Sequence, residues 1–192
     1  SIAHPNCVFV YGSHAIAGAT AISMELMTGR TLDDRIRSGE PVPVESAVQW
    51  TVEILEGLAA AHAMGVVHRD VKPSNCFLDH DNRVKVGDFG LARSLQSGSR
   101  LTRTGTFVGT PHYSAPEQLA GEEVDQRADI YASGVLMCEM FCGKLPYSGA
   151  NTLEIYVAQM QQPPAKPSEY WPEIPAALEA IILRCLQKLP AE

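Results

Sequence analysis

Apolar residues return every third or fourth position from Val44 to Met64: Val44, Val48, Val52, Leu55, Leu58 and Ala59, with His62 closing the series. That spacing predicts an amphipathic helix of about five to six turns, ended by Gly65. Upstream, CVFVYG (7–12) and ATAISMELM (19–27) read as two short strands, the first ending at Gly12 and the second broken by Thr28-Gly29. TLDDRIRSG (31–39) reads as a short helix closed by Gly39, with Pro41 and Pro43 barring its continuation. NCFLD (75–79), the turn HDN (80–82) and RVKVG (83–87) make a hairpin.

Further on, RADIYASGVLMCEMFCG (127–143) is almost continuously apolar, which suits a helix at the centre of a helical lobe. TLEIYVAQMQ (152–161) and PAALEAIILRCLQKL (175–189) add two more helices, joined by the proline-rich connector QQPPAKPSEYWPEIP. No internal repeat interrupts this order.

Between hairpin and central helix, residues 91–114 show no clear period and hold eight Ser or Thr, three Arg and no acidic residue. The whole 192-residue chain is acidic, with 22 Asp and Glu against 15 Lys and Arg and a formal charge of −7. A basic, hydroxyl-rich stretch of 24 residues in such a chain stands out as a functional loop or a disordered one. The acidic balance argues against a chain-wide affinity for nucleic acid or an anionic membrane. No apolar run reaches the roughly 18–20 residues that span a bilayer. Cys7, Cys76, Cys138, Cys142 and Cys185 form no C-x-x-C pair, so reduced thiols are expected, with neither a disulfide framework nor a zinc site.

The chemistry is concentrated after the long helix, in GVVHRDVKPSN (65–75). A loop there can turn Asp70, Lys72 and Asn75 into one space. The carboxylate can accept a proton from an attacking hydroxyl, the ammonium can neutralise charge on a transferring group, and the amide oxygen can bind a hard cation such as Mg²⁺. Thirteen residues past Asn75, GDFG presents a second carboxylate, Asp88, at the end of a hairpin strand. H-R-D alone is a weak signal. H-R-D-x-K-x-x-N followed by D-F-G is a specific one.

By these motifs the chain resembles the eukaryotic-type (Hanks-type) protein serine/threonine kinases, in wording most like the bacterial members, over essentially its whole length. His68-Arg69-Asp70 with Asn75 resembles the catalytic loop and Asp88-Phe89-Gly90 the metal-binding motif, while GTPHYSAPE (109–117) resembles the substrate-binding loop and its A-P-E ending. The resemblance implies an α+β, protein-kinase-like fold: a remnant of the N-terminal lobe with the hinge over 1–27, and a mostly α-helical C-terminal lobe over 28–192, with an activation segment over 88–117.

The roles it implies follow residue by residue. Asp70 deprotonates the acceptor hydroxyl and Lys72 stabilises the γ-phosphoryl of ATP; Asn75 and Asp88 hold Mg²⁺, and Thr110 bonds near Asp70. Met24 stands behind the adenine, the Glu25 C=O and Met27 N–H pair with its edge, and Leu32 and Phe77 pack beneath it. Asp129 braces the catalytic-loop backbone, while His68, Phe89 and Glu117 are structural. Arg69 faces the basic loop, where autophosphorylation at Thr102, Thr104 or Thr106 supplies it with an anion.

Protein substrates with Ser/Thr acceptors, a cytoplasmic site of action and dimerisation for autophosphorylation belong to the same expectation. A glycine-rich loop, a strand lysine for the α- and β-phosphates and a helix glutamate are absent from these 192 residues. The chain therefore reads as a fragment, inactive by itself, of a membrane-anchored or soluble parent. The alternative reading is a pseudokinase or a lobe-only interaction module.

Overall fold

Trp50, Ile54 and Leu58 lie one turn apart on α2 (Val44–Ala63), and all three are buried against the hairpin β3 (Cys76–Leu78) and β4 (Val84–Val86). The fold is known from a computed structural model, which describes residues 2–16, 18–89 and 111–191. Two polar side chains fasten this contact. The Trp50 indole N–H donates to the Asn82 C=O at 2.9 Å, and Glu53 accepts from the Val84 N–H at 2.6 Å while pairing with Arg83. A buried carboxylate survives here because a strand N–H and a guanidinium both bind it.

The buried face of α2 differs from the one its apolar periodicity suggested. Ala47, Trp50, Ile54, Gly57, Leu58 and Ala61 face inward, whereas Val44, Val48 and Val52 are 42%, 45% and 48% exposed and Leu55 is exposed too. Part of the inner face is small because the backbone of residue 6 comes close: a Cβ on Gly57 would stand 2.7 Å from the Asn6 C=O oxygen. Trp50, Ile54 and Leu58 fill the rest of that face, and the outward valines carry the same helical period, so hydropathy alone points to either side.

The N-terminal segment is anchored the same way. Asn6 and Cys7 lie along β4, with Val86 N–H donating to Asn6 C=O and Val8 N–H donating to Val86 C=O, both at 2.8 Å. From there the chain enters β1 (Val10–Ile16), which pairs antiparallel with β2 (Ala19–Met24). Sequence reading began the first strand at residue 7 and closed it at Gly12. The strand instead runs through Gly12, with a register irregularity between Val10 and Gly12, and residues 7–8 pair with Val86. Tyr11, Ile16, Ile22 and Met24 of this ribbon are exposed.

α1 (Leu32–Arg37) begins at a capping box, Thr31 with Asp34. Its buried Arg35 donates to the C=O groups of Glu40 and Pro41, each at 2.8 Å, which ties down the turn into α2. After the described break come α3 (Pro116–Ala120), α4 (Arg127–Cys142), α5 (Thr152–Gln161) and α6 (Ala176–Cys185). α3 was not foreseen in the sequence, and α6 ends four residues before the expected Leu189.

α4 explains its own composition. Ala132, Leu136 and Met140 join the core with α2 and the hairpin, while Ala128, Tyr131, Val135 and Cys138 join a second core with α6. A helix buried on two sides has no polar face to show. The five cysteines are free, and burial pushes the Cys76 and Cys138 thiols up to about 12. No helix among the described residues is long and apolar enough to cross a membrane.

Candidate active site

Asp129, in the first turn of α4, has no exposed surface, and its carboxylate gathers three donors. Oδ1 accepts from the Arg69 N–H at 2.7 Å; Oδ2 accepts from the His68 N–H at 2.8 Å and lies 2.7 Å from His62 Nε2. These bonds hold the backbone where it is least comfortable. Arg69 has φ 66°, a left-handed conformation that costs a non-glycine residue roughly 1 kcal/mol. His62 was read only as part of an apolar stripe. A polar side chain interrupting that stripe was the one signal of its partnership.

The strained turn aims Asp70. Lys72 Nζ lies 2.7 Å from Asp70 Oδ2, and Asn75 Nδ2 donates to the Asp70 C=O at 2.8 Å and to its Oδ2 at 3.1 Å. The three polar residues singled out in the sequence are therefore in contact. The same loop grips the next strand. Gly87 N–H donates to Asn75 C=O and Gly87 C=O faces His68 Nε2, both at 2.8 Å, while the His68 and Phe89 rings sit 4.7 Å apart. Asp88 follows directly, itself at φ 61°.

This donor set suits a hard cation. Asn75 spends its Nδ2 on Asp70, which leaves its Oδ1 without a hydrogen bond among the described residues, and Asp88 follows directly on Gly87, which is bonded to the Asn75 C=O. Oxygen donors of this kind match Mg²⁺.

Close approach at Gly87 makes the packing specific. A Cβ there would stand 2.7 Å from the Phe77 ring and 3.2 Å from Val8. Gly87→Ala should thus cost about 2 kcal/mol, as overpacking commonly does. Urea unfolding of the variant beside the wild type checks this: the midpoint should fall with the slope unchanged.

Just past β2, the Glu25 N–H donates to Phe9 C=O at 2.8 Å while its side chain accepts from the Phe9 N–H at 3.1 Å and pairs with Lys85. The Lys85 hydrogen bond, foremost, holds the Glu25 carboxyl below its usual range. No hydrogen bond to the Glu25 C=O or the Met27 N–H occurs among the described residues. Met24 is exposed, and Phe77 is half-buried between Lys85 across the hairpin and a bridge to Thr31. Leu32 corrects the sequence reading. It has no exposed surface and belongs to the core with Trp50 and Ile54, so it cannot touch a base in this conformation.

Beyond the break, residues 111–113 form a turn of 3₁₀ helix leading to α3. Tyr113 bonds Glu139 of α4, and burial, foremost, raises both groups above their usual ranges. Gln118 was missed in the sequence and bridges two loops: its Oε1 accepts from the Ala115 N–H at 3.0 Å and its Nε2 donates to the Arg69 C=O at 2.9 Å. Glu117 is buried at the edge of a cavity of about 370 Å³ shared with Arg127, Tyr131 and Arg184, and burial lifts its carboxyl above the usual range. Thr102, Thr104, Thr106 and Thr110 lie outside the described residues.

Comparison with known proteins agrees with this geometry. The sequence model of the protein kinase domain matches residues 1–192. The chain is 39% identical over 195 residues to serine/threonine-protein kinase Pkn1 of Myxococcus xanthus, covering 100% of this chain and 28% of that protein. It is 37% identical over 195 residues to a probable serine/threonine-protein kinase of Streptomyces coelicolor, covering 99% of this chain and 29% of the relative. With serine/threonine-protein kinase PknB of Mycobacterium leprae it shares 34% over 191 residues, 97% of this chain and 31% of the relative. The chain thus spans less than a third of the length of these curated relatives. With the family model matched from end to end and the Asp70 loop, Asp88 and Asp129 joined as described, the chain belongs to the protein kinase domain family.

Proposed function

We propose that the protein carrying this chain is a serine/threonine protein kinase that moves the γ-phosphoryl of ATP to protein hydroxyls, with Mg²⁺. The observation that carries this reading is the contact of Asp70 with both Lys72 and Asn75, at 2.7 and 3.1 Å, on a loop bonded to the residue before Asp88. Asp70 accepts the proton of the attacking hydroxyl. Lys72, already beside that carboxylate, lies within reach of the phosphoryl group as its charge shifts. Asn75 Oδ1 and Asp88 hold the cation, which neutralises phosphate charge when bound.

The Glu25 C=O and Met27 N–H pair with the adenine, Met24 stands behind it, and Phe77 lies beneath. Residues 1–27 belong to the smaller lobe and hinge and 28–192 to the larger lobe. Residues 88–117 form the activation segment, in which phosphorylation of Thr102, Thr104 or Thr106 gives Arg69 an anion to bind. The catalysis takes place in the cytoplasm, on protein partners.

Phosphotransfer by the full-length protein tests this reading. With γ-labelled ATP, Mg²⁺ and myelin basic protein as acceptor, label should enter serine and threonine but not tyrosine, and chelation of Mg²⁺ should abolish it. Tryptic mapping of the enzyme itself should place label in the segment 101–110. Absence of label from both enzyme and acceptor would overturn the reading.

A further inference from the structure

Gln159, on the inner face of α5, has no exposed surface. Its Nε2 donates to two backbone carbonyls of the turn after the break: His112 C=O at 2.8 Å and Ser114 C=O at 3.2 Å. Its Oε1 is buried with no hydrogen-bond partner among the described residues. An apolar side chain of the same size would remove the unmatched Oε1 but would strip the His112 and Ser114 carbonyls of their donor.

What the amide does is hold backbone that lacks a regular partner. Residues 111–115 belong to neither a long helix nor a sheet, and their carbonyls need donors from elsewhere. Gln118 grips the same stretch from the opposite side, tying Ala115 N–H to Arg69 C=O beside Asp70. Gln159 is itself fixed from behind. Lys188 donates to its C=O and to the Tyr147 hydroxyl, the latter at 2.8 Å, with the ammonium 4.0 Å above the Tyr147 ring. A continuous set of bonds therefore runs from the loop of Asp70, through Gln118 and residues 112–115, to Gln159 and Lys188.

We propose that Gln159 is a positioning residue for protein-substrate recognition: by holding the carbonyls of His112 and Ser114 it sets the shape of the segment against which the acceptor chain lies. The inference rests on the kinase reading above, in which residues 109–117 face the acceptor. It touches neither nucleotide nor cation, so its influence belongs to the KM for protein and not to the phosphoryl step.

The test uses the full-length protein with Gln159→Leu, which removes both donors and the unmatched acceptor at nearly constant volume. Thermal melts compare its folding with the wild type. Gln159→Met, equally long and equally without donors, repeats the assay if the leucine variant melts early. With myelin basic protein as acceptor, KM should rise about 10-fold. The KM for ATP, and ATP hydrolysis without protein acceptor, should stay within about twofold. An unchanged protein KM, or a fall in kcat alone, overturns the positioning role while leaving the kinase reading intact. Failure of the wild type to label any protein overturns the kinase reading instead.

Discussion

Asp70→Asn in the full-length protein is expected to lower kcat for phosphotransfer about 10³-fold while leaving ATP affinity within about threefold. General-base catalysis by a positioned side chain is worth roughly 10²–10⁴ in rate. An amide in the same place cannot take the hydroxyl proton. The fold should tolerate the change. Asn75 keeps its 2.8 Å bond to the Asp70 backbone C=O, and an amide oxygen can still accept its second bond. The Lys72 pair that is lost has both side chains about a third exposed, so solvent already screens it. Single-turnover phosphotransfer, beside ATP binding measured by calorimetry, checks both halves. A variant that keeps more than a tenth of the wild-type rate removes Asp70 from the role of base.

The second large effect is on stability and rate together. Asp129→Asn should lower the melting temperature by roughly 10 °C and kcat about 100-fold. The carboxylate accepts from three donors in a site closed to water. An amide must turn its NH₂ toward at least one of them. Losing one or two charge-assisted bonds while leaving buried donors unmatched costs about 3 kcal/mol. In a domain of this size each kcal/mol moves the melting temperature by roughly 2–4 °C. The rate falls for a separate reason. With its oxygen kept for His62 and the His68 N–H, the amide turns its NH₂ toward the Arg69 N–H, so the bond that holds Arg69 at φ 66° is lost and Asp70 moves with it. A displacement of about 1 Å at a catalytic group can cost about 10²-fold. Melting by circular dichroism and steady-state kinetics on the same preparation measure the two effects. A shift below about 2 °C would show that the carboxylate does not carry the loop.

Asp129 and Asp70 also mark two kinds of legibility. Asp70, Lys72 and Asn75 could be picked out along the chain because the base, cation and cation ligand proposed here fall within six residues, with Asp88 thirteen residues further on. That chemistry writes a short, dense motif. Asp129 lies sixty residues away from Arg69 in sequence, and its carboxylate meets the Arg69 N–H only in the fold. His62 and Gln118 had no such pattern. Each is a single polar residue whose partner is backbone or a distant side chain.

Hydrophobic period alone determined that a long helix follows the Pro41–Pro43 turn and that residues 127–142 form a helix buried on more than one side. It did not determine which face of the first helix turns inward. Side chains on a helix carry a period but no address, and the outward valines of α2 repeat at the same spacing as Trp50, Ile54 and Leu58, which the core selected. The approach of Asn6 to Gly57, the burial of Leu32 in the core with Trp50 and Ile54 and the grip of Gln159 on residues 112–114 exist only where segments far apart in the chain meet. The sequence by itself therefore determined the residue types proposed for the chemistry, because a phosphoryl-transfer motif is local. The tertiary structure decided which residues hold them in place, because close packing and hydrogen-bond satisfaction are settled between distant segments.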